Sequence, residues 1–314
     1  MSQPPANLLL ISFDQWRGDW ADPFVPAVEL PALQSLAKRS VVARRCYTSS
    51  PQCVPARMSW LTGLAPSQMG VTRNTIAEAP TDAPSLFRKL QIRGWYTELI
   101  GKTHWTNHRY PTDLRKTQDR IKALGFNTVM EIAGPKALQH VRCALTDDWE
   151  KEGWMDLYIK DLRRRYRDDQ GRQAWTVRPS VLPDELYPDL WLTERALEAL
   201  QRMPTQQPWL LWVSFVGPHE PFDTPTKWNN RQPHKTPDAV MTADWYAQLP
   251  VHCELQLAHQ RWRGKLTAQE IESCRQDYAN HLQLLDCQLQ RLLDALAARG
   301  DACQTAIAVT SDHG

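Results

Sequence analysis

The sequence lacks the marks of a membrane, disulfide-stapled or nucleic-acid-binding chain. Residues Met1 to Ala6 carry no basic group, and the one apolar run that follows, Leu8 to Phe13, is short. A bilayer core demands about 20 apolar residues in a helix, and a signal peptide demands a charged flank and a cleavage site. The expectation is a soluble chain made in the cytoplasm. No C-x-x-C pair occurs, and the seven cysteines (46, 53, 143, 253, 274, 287 and 303) are odd in number and irregularly spaced. That argues against a disulfide framework or a zinc-finger module. A net charge of only +2 gives nucleic acid no electrostatic footprint. There is no internal repeat and no low-complexity tract.

What remains is an ordinary globular composition, 42% hydrophobic and 23% charged over 314 residues. We take residues 1–314 as a single α/β domain. Short apolar runs alternate with helical stretches, the pattern of a parallel sheet covered by helices on both faces. Strands are expected at 7–13, 41–43, 96–100, 209–216 and 305–310. Helices are expected at 31–39, 55–62, 84–93, 190–202 and 268–299. In the last of these Ile271, Tyr278, Leu282, Leu285, Leu289, Leu292 and Leu296 recur at three- and four-residue steps, one apolar face that suits core packing. Two segments, 105–188 and 218–266, interrupt the rhythm with Trp, Pro and charge. As insertions they are expected to line a substrate pocket. The run Arg163-Arg164-Arg165 within the first reads as a solvated face.

The chemically informative stretch is Cys53-Val54-Pro55-Ala56-Arg57, followed by Thr62-Gly63. From this composition C-x-P-x-R is expected by chance roughly 0.04 times, and with Thr-Gly at that spacing about 10⁻⁴ times. Pro55 suits the first turn of a helix, where its missing N–H is no loss. Residue 53 then sits at a helix N-terminus, where free N–H groups and the dipole favour an anion. Arg57, one turn on, can pair with that anion. Other polar residues fall at the carboxyl ends of expected strands, where an open α/β sheet gathers its site. These are Asp14, then Lys102 and His104 in Gly101-Lys-Thr-His104, then His219, and finally Asp312-His313. Asn74 follows the Cys53 segment.

Together these motifs resemble the formylglycine-dependent sulfatases of the alkaline phosphatase superfamily. Asp14-Gln15 and Asp312-His313 resemble the branch near choline sulfatases and phosphonate monoester hydrolases, where many sulfatases have paired aspartates and Asp-Asn. The resemblance implies an alkaline phosphatase-like fold with a large, mostly parallel central sheet. It also implies that a smaller C-terminal subdomain of such enzymes would lie beyond Gly314, so the chain is expected to be their N-terminal and central part. Asp14, Cys53, Asp312 and His313 are implied as ligands of one divalent metal, calcium first, with magnesium, manganese or zinc also compatible with these donors. Gln15 is a further ligand candidate. A separate maturation enzyme would oxidise Cys53 to formylglycine, whose hydrate attacks sulfur or phosphorus in line. His219 or Lys102 would assist the leaving alcohol, and His104 would deprotonate the second hydroxyl to expel the anion. Asn74 would contact a substrate oxygen. The implied activity is hydrolysis of small-molecule sulfate esters. A phosphonate monoester or phosphodiester hydrolase is the alternative within the superfamily, and an inactive truncated binding protein the alternative from another class. Membrane and nucleic-acid partners are not expected, and a homo-oligomer stays open.

Overall fold

The computed structural model describes residues 6–20, 22–24, 27–74, 78–166, 176–229, 248 and 267–314. Five strands form one sheet: β1 (Asn7–Asp14), β2 (Tyr96–Gly101), β3 (Thr128–Glu131), β4 (Trp209–Pro218) and β5 (Thr305–Ser311). Their spatial order is β3-β2-β4-β1-β5, and every pairing is parallel. β4, buried at all ten positions, lies at the centre. Its continuous apolar run requires that place, because successive side chains point to opposite faces and both faces must be covered. Leu211, Val213 and Phe215 join Leu9, Ile11 and Phe13 in one core, while Leu210 and Trp212 join Leu99 in the other.

The second core is closed by three helices, α2 (Cys53–Thr62), α3 (Leu86–Ile92) and α4 (Gln118–Ala123). Phe87 of α3 stacks on Trp212 with ring centroids 5.4 Å apart, and Trp105 leans on the same ring. The first core is closed by α1 (Pro31–Ala37), α5 (Ala144–Lys151), α6 (Met155–Tyr166), α7 (Pro188–Arg202) and the long α8 (Ala268–Ala297). A reciprocal cap starts α8: the Thr267 hydroxyl accepts the Glu270 N–H at 3.1 Å, and Glu270 accepts the Thr267 N–H at 2.8 Å. Leu282, Leu285, Leu289, Leu292 and Leu296 are buried, as the periodicity requires, whereas Ile271 at the head of that face is 46% exposed.

Three expectations need correction. Residues 41–43 form no strand; they belong to an exposed extended stretch, because a β-branched pair followed by Ala-Arg-Arg has no covered face to bury. Segment 105–188 belongs to the core fold rather than being only an insertion between its elements. It supplies β3, which pairs with β2, and core side chains such as Leu114, Trp149 and Leu162. Arg165 is buried rather than solvated. Its guanidinium pairs with Asp161 and donates to the carbonyls of Thr176, Pro179 and Phe222, tying α6 to the chain after β4. Most of 218–266 lies outside the described residues.

Candidate active site

The site forms where the carboxyl ends of β1, β2, β4 and β5 meet the N-terminus of α2. At the end of β1 the ladder to β4 slips by two residues, from Ser12 opposite Ser214 to Asp14 opposite Pro218. Such an irregularity re-aims a side chain at a strand end. Helix α2 begins at Cys53 itself, two residues earlier than expected, and Pro55 falls in its first turn. Gly63, at φ 70°, ends the helix in the left-handed conformation, its N–H bonded to the Ser59 carbonyl at 2.7 Å. Cys53 Sγ then lies 3.5 Å from Asp14 Oδ1, 3.1 Å from His313 Nε2 and 3.8 Å from Lys102 Nζ.

Two buried cations balance two buried carboxylates. The Lys102 ammonium contacts Asp14 Oδ2, and Arg57 Nε donates to Asp312 Oδ2 at 2.7 Å. Arg57 Nη1 also donates to the Lys102 carbonyl at 2.5 Å and to Ser214 Oγ at 2.9 Å. Ser214 in turn donates to the Lys102 carbonyl, so the guanidinium and a β4 hydroxyl together fix the turn after β2. Burial alone would raise the Asp14 carboxyl, but Lys102, His219 and Arg57 outweigh it and hold Asp14 well below the usual carboxylate range. Burial likewise works against the Cys53 thiolate, yet Lys102 and hydrogen bonds from His219 and His313 bring its pKa down to about 7. His219 is lowered by burial but raised more by Asp14 and Cys53, to about 9. His104 moves the other way. Burial, then the charges of Lys102, His108 and Arg57, keep it well below its ordinary value and therefore neutral.

Donor spacing tests whether these residues fit a divalent ion. One ligand atom from each of Asp14, Cys53, Asp312 and His313 lies within 4.8 Å of the others, and all four residues are buried. His313 Nε2 is 3.7 Å from both Asp14 Oδ1 and Asp312 Oδ1. Donors that sit about 2.0–2.5 Å from a common centre are separated by such distances. Arg57 Nη2 is buried beside them without a hydrogen-bond partner among the described residues. The residues fit the group.

A sequence profile described as Sulfatase matches residues 6–314. The chain belongs to the sulfatase family. It is 28% identical to a choline-sulfatase of Rhizobium meliloti, an alignment covering 100% of this chain and 58% of that protein. It is 23% identical to an arylsulfatase of Clostridium perfringens, covering 98% and 63%. The phosphonate monoester hydrolase structure of Agrobacterium radiobacter superposes with a TM-score of 0.73 at 22% identity, over 99% of this chain and 62% of that one. The sulfatase chain thus spans about three fifths of the length of these relatives.

Of the residues singled out in the sulfatase sequence, Asp14, Cys53, Arg57, Lys102, Asp312 and His313 converge directly. His219 joins them electrostatically through Asp14 and Cys53, while its Nδ1 lies 2.7 Å from the Glu220 carbonyl. His104 sits in a left-handed conformation, φ 58°, with Nδ1 buried and unpartnered among the described residues. Asn74 lies beside Cys53: its Oδ1 accepts the Val54 N–H at 3.0 Å, one of the free amides of the first turn of α2. Gln15 accepts and donates through its backbone; its N–H bonds to Asp312 Oδ1 at 3.0 Å.

Sequence reasoning missed the residues that hold these in place. Glu131, at the end of β3, accepts from Thr103, from Thr106 at 2.8 Å, and pairs with His108 at 3.0 Å. The His108 ring meets that of His104 edge-on at 4.8 Å. The available signal was Thr-His-Trp-Thr-Asn-His, three short donors and two imidazoles in six residues, which require a buried acceptor somewhere. His281, which no strand-end motif marks in the sequence, is buried against Asp189.

Proposed function

We propose that this chain carries the catalytic centre of a sulfuric ester hydrolase in which Cys53 is the residue matured to formylglycine. The observation that supports this best is the setting of Cys53. A buried thiol in the first turn of a helix faces two carboxylates, an imidazole and an ammonium, all within hydrogen-bonding or ligand distance. A structural cysteine needs no such surroundings. Asp14, Asp312, His313 and the group at position 53 would hold the divalent ion. When bound, that ion supplies positive charge to an ester oxygen and acidifies a hydroxyl at residue 53. Lys102 and Arg57 pair with the two carboxylates and balance their charge. His219, protonated at neutral pH, would deliver its proton to the departing alcohol oxygen, and neutral His104 would accept one. Asn74, its Oδ1 engaged by α2, would offer Nδ2 to a substrate oxygen.

A second reading, a phosphonate monoester hydrolase, is favoured by the superposition on that class and by Asn74 standing beside the nucleophile. One experiment separates the two. The protein is produced with a formylglycine-generating enzyme, residue 53 is examined by mass spectrometry, and turnover of aryl sulfate, aryl phosphonate and aryl phosphodiester is compared. The sulfatase reading expects an aldehyde at residue 53 and the largest kcat/KM for the sulfate. An unmodified thiol under those conditions would sink both readings, and a larger kcat/KM for the phosphonate would select the second.

A further inference from the structure

Beneath the loop that carries His219 lies a buried ion pair that the proposed chemistry does not use. Asp189, in the first turn of α7, is 1% exposed. Its Oδ1 accepts two backbone N–H groups from the end of β4, Val216 at 3.0 Å and Gly217 at 3.1 Å. Its Oδ2 lies 2.9 Å from Nε2 of His281, which comes from α8 and is also buried. Tyr187 donates to Asp223 at 3.3 Å and reaches His281 Nε2 at 3.5 Å, extending the network along the underside of the loop. A water-sized cavity of about 10 Å³ opens among Tyr187, Asp189, Gly217, Asp223, His281 and His219 itself.

Gly217 explains how the pair comes so close. A Cβ at this position would fall 2.3 Å from His281 Nε2 and 2.6 Å from Asp189 Oδ2. Its backbone does not adopt a positive φ, so the glycine serves proximity rather than conformational freedom. An acidic residue in the first turn of a helix ordinarily serves its own helix. Here both Oδ1 bonds go to another element, two and three residues before His219. Desolvating a carboxylate and an imidazole is expensive, and an apolar pair would fill the same space. What an apolar pair could not do is hold two strand-end amides in a fixed direction.

We infer that Asp189 and His281 are positioning residues: they fix the end of β4 so that His219 is aimed across the site at Cys53 and Asp14. The inference rests on the reading of His219 as the acid, and its test has one arm that is independent of turnover. Hydrogen–deuterium exchange is followed in the wild type and in His281→Ala, His281→Gln and Gly217→Ala. Exchange over residues 216–220 should rise about tenfold in His281→Ala and Gly217→Ala while β1 and β2 stay protected. His281→Gln, which keeps an N–H for Asp189, should restore most of the protection. In the second arm kcat/KM is measured for a nitrophenyl sulfate and for an alkyl sulfate. Loss of proton delivery penalises the poorer leaving group, so the aryl-to-alkyl ratio should rise about tenfold or more in His219→Ala. It should rise in the same sense in His281→Ala and Gly217→Ala. Uniform or unchanged exchange overturns the inference, whether or not any ester is turned over. A parallel loss on both esters in the His281 and Gly217 variants also overturns it. Local exchange that responds as expected in a wild type inactive on both esters supports the positioning and faults the proposed function instead. Should His281→Ala not fold, His281→Gln and Gly217→Ala carry both arms.

Discussion

The phenol of Tyr278 bridges the backbone on either side of Trp16: it donates to the Gln15 carbonyl at 2.7 Å and accepts the Arg17 N–H at 2.8 Å. Gln15 is held in the left-handed region, φ 67°, which a residue with a side chain adopts at a cost. Because Gln15 N–H bonds to Asp312 Oδ1, the clamp from α8 reaches both carboxylates of the candidate metal site. Tyr278→Phe should lower stability by only about 1–2 kcal/mol but weaken divalent-ion binding by about tenfold. Calorimetric titration with Mn²⁺ or Ca²⁺ checks this; unchanged affinity would mean that the turn holds itself.

Arg57 satisfies three acceptors from inside the protein, so its removal strands Asp312 as a buried charge. Arg57→Ala should cost about 3–5 kcal/mol in denaturant unfolding. Arg57→Lys should recover little, since one ammonium cannot reproduce the planar fork.

Gly101, at φ 117°, lets β2 pass β4 at close quarters; a Cβ there would lie 1.9 Å from the Ser214 carbonyl oxygen. Gly101→Ala should lose at least about 2–3 kcal/mol. Gly63→Ala, at φ 70° with open space around it, should lose only about 1 kcal/mol. Equal losses from the two variants, read from their unfolding midpoints, would contradict the close approach.

Stability should fall as pH rises from about 4 towards neutrality. Burial pushes Asp223 up to about 6, against Arg165 and His281, and Asp277 up to about 7, against His281. Both values exceed the roughly 3.9 of an unfolded aspartate. The folded chain therefore holds these protons more tightly. The stability this contributes is complete below about pH 4 and is lost as pH passes through 6 and 7. His281, lowered by burial but raised more by Asp189, loses its contribution in the same direction. Unfolding free energy should drop by a few kcal/mol, on the order of 2–4, between about pH 5 and pH 8. Asp277→Asn should flatten that slope, and a chain equally stable at both pH values would refute the assignment.

Much of this was legible in the sequence because apolar runs and strand-end polar residues obey local rules. β1, β2, β4 and β5, and the polar residues that follow β1 and β5, were found from periodicity and from what terminates a strand, whereas the ligand role of those residues came from the family resemblance. β3 escaped because Thr-Val-Met-Glu is four residues long with one fully apolar pair, too little to stand out among helical neighbours. The supporting residues escaped for another reason. Asp189, His281 and Tyr278 act at sequence distances of 27 to 263 residues from what they hold, and no local pattern encodes such pairings. A buried histidine and a surface histidine look alike until the fold supplies the aspartate.

The parallel pairing of β1 with β5 sets Asp14 beside Asp312 and closes the longest loop in the described chain. Closing a loop of that length carries an entropic cost that grows slowly with its length, and pairings so distant in sequence slow folding. The Cys53 thiol is 3% exposed in the finished structure and touches His313 beyond β5, so it is expected to stay open to a reagent in solution until β5 docks. Its alkylation rate during refolding would then time the pairing of β5 with β1, the step that sets Asp14 and Asp312 side by side.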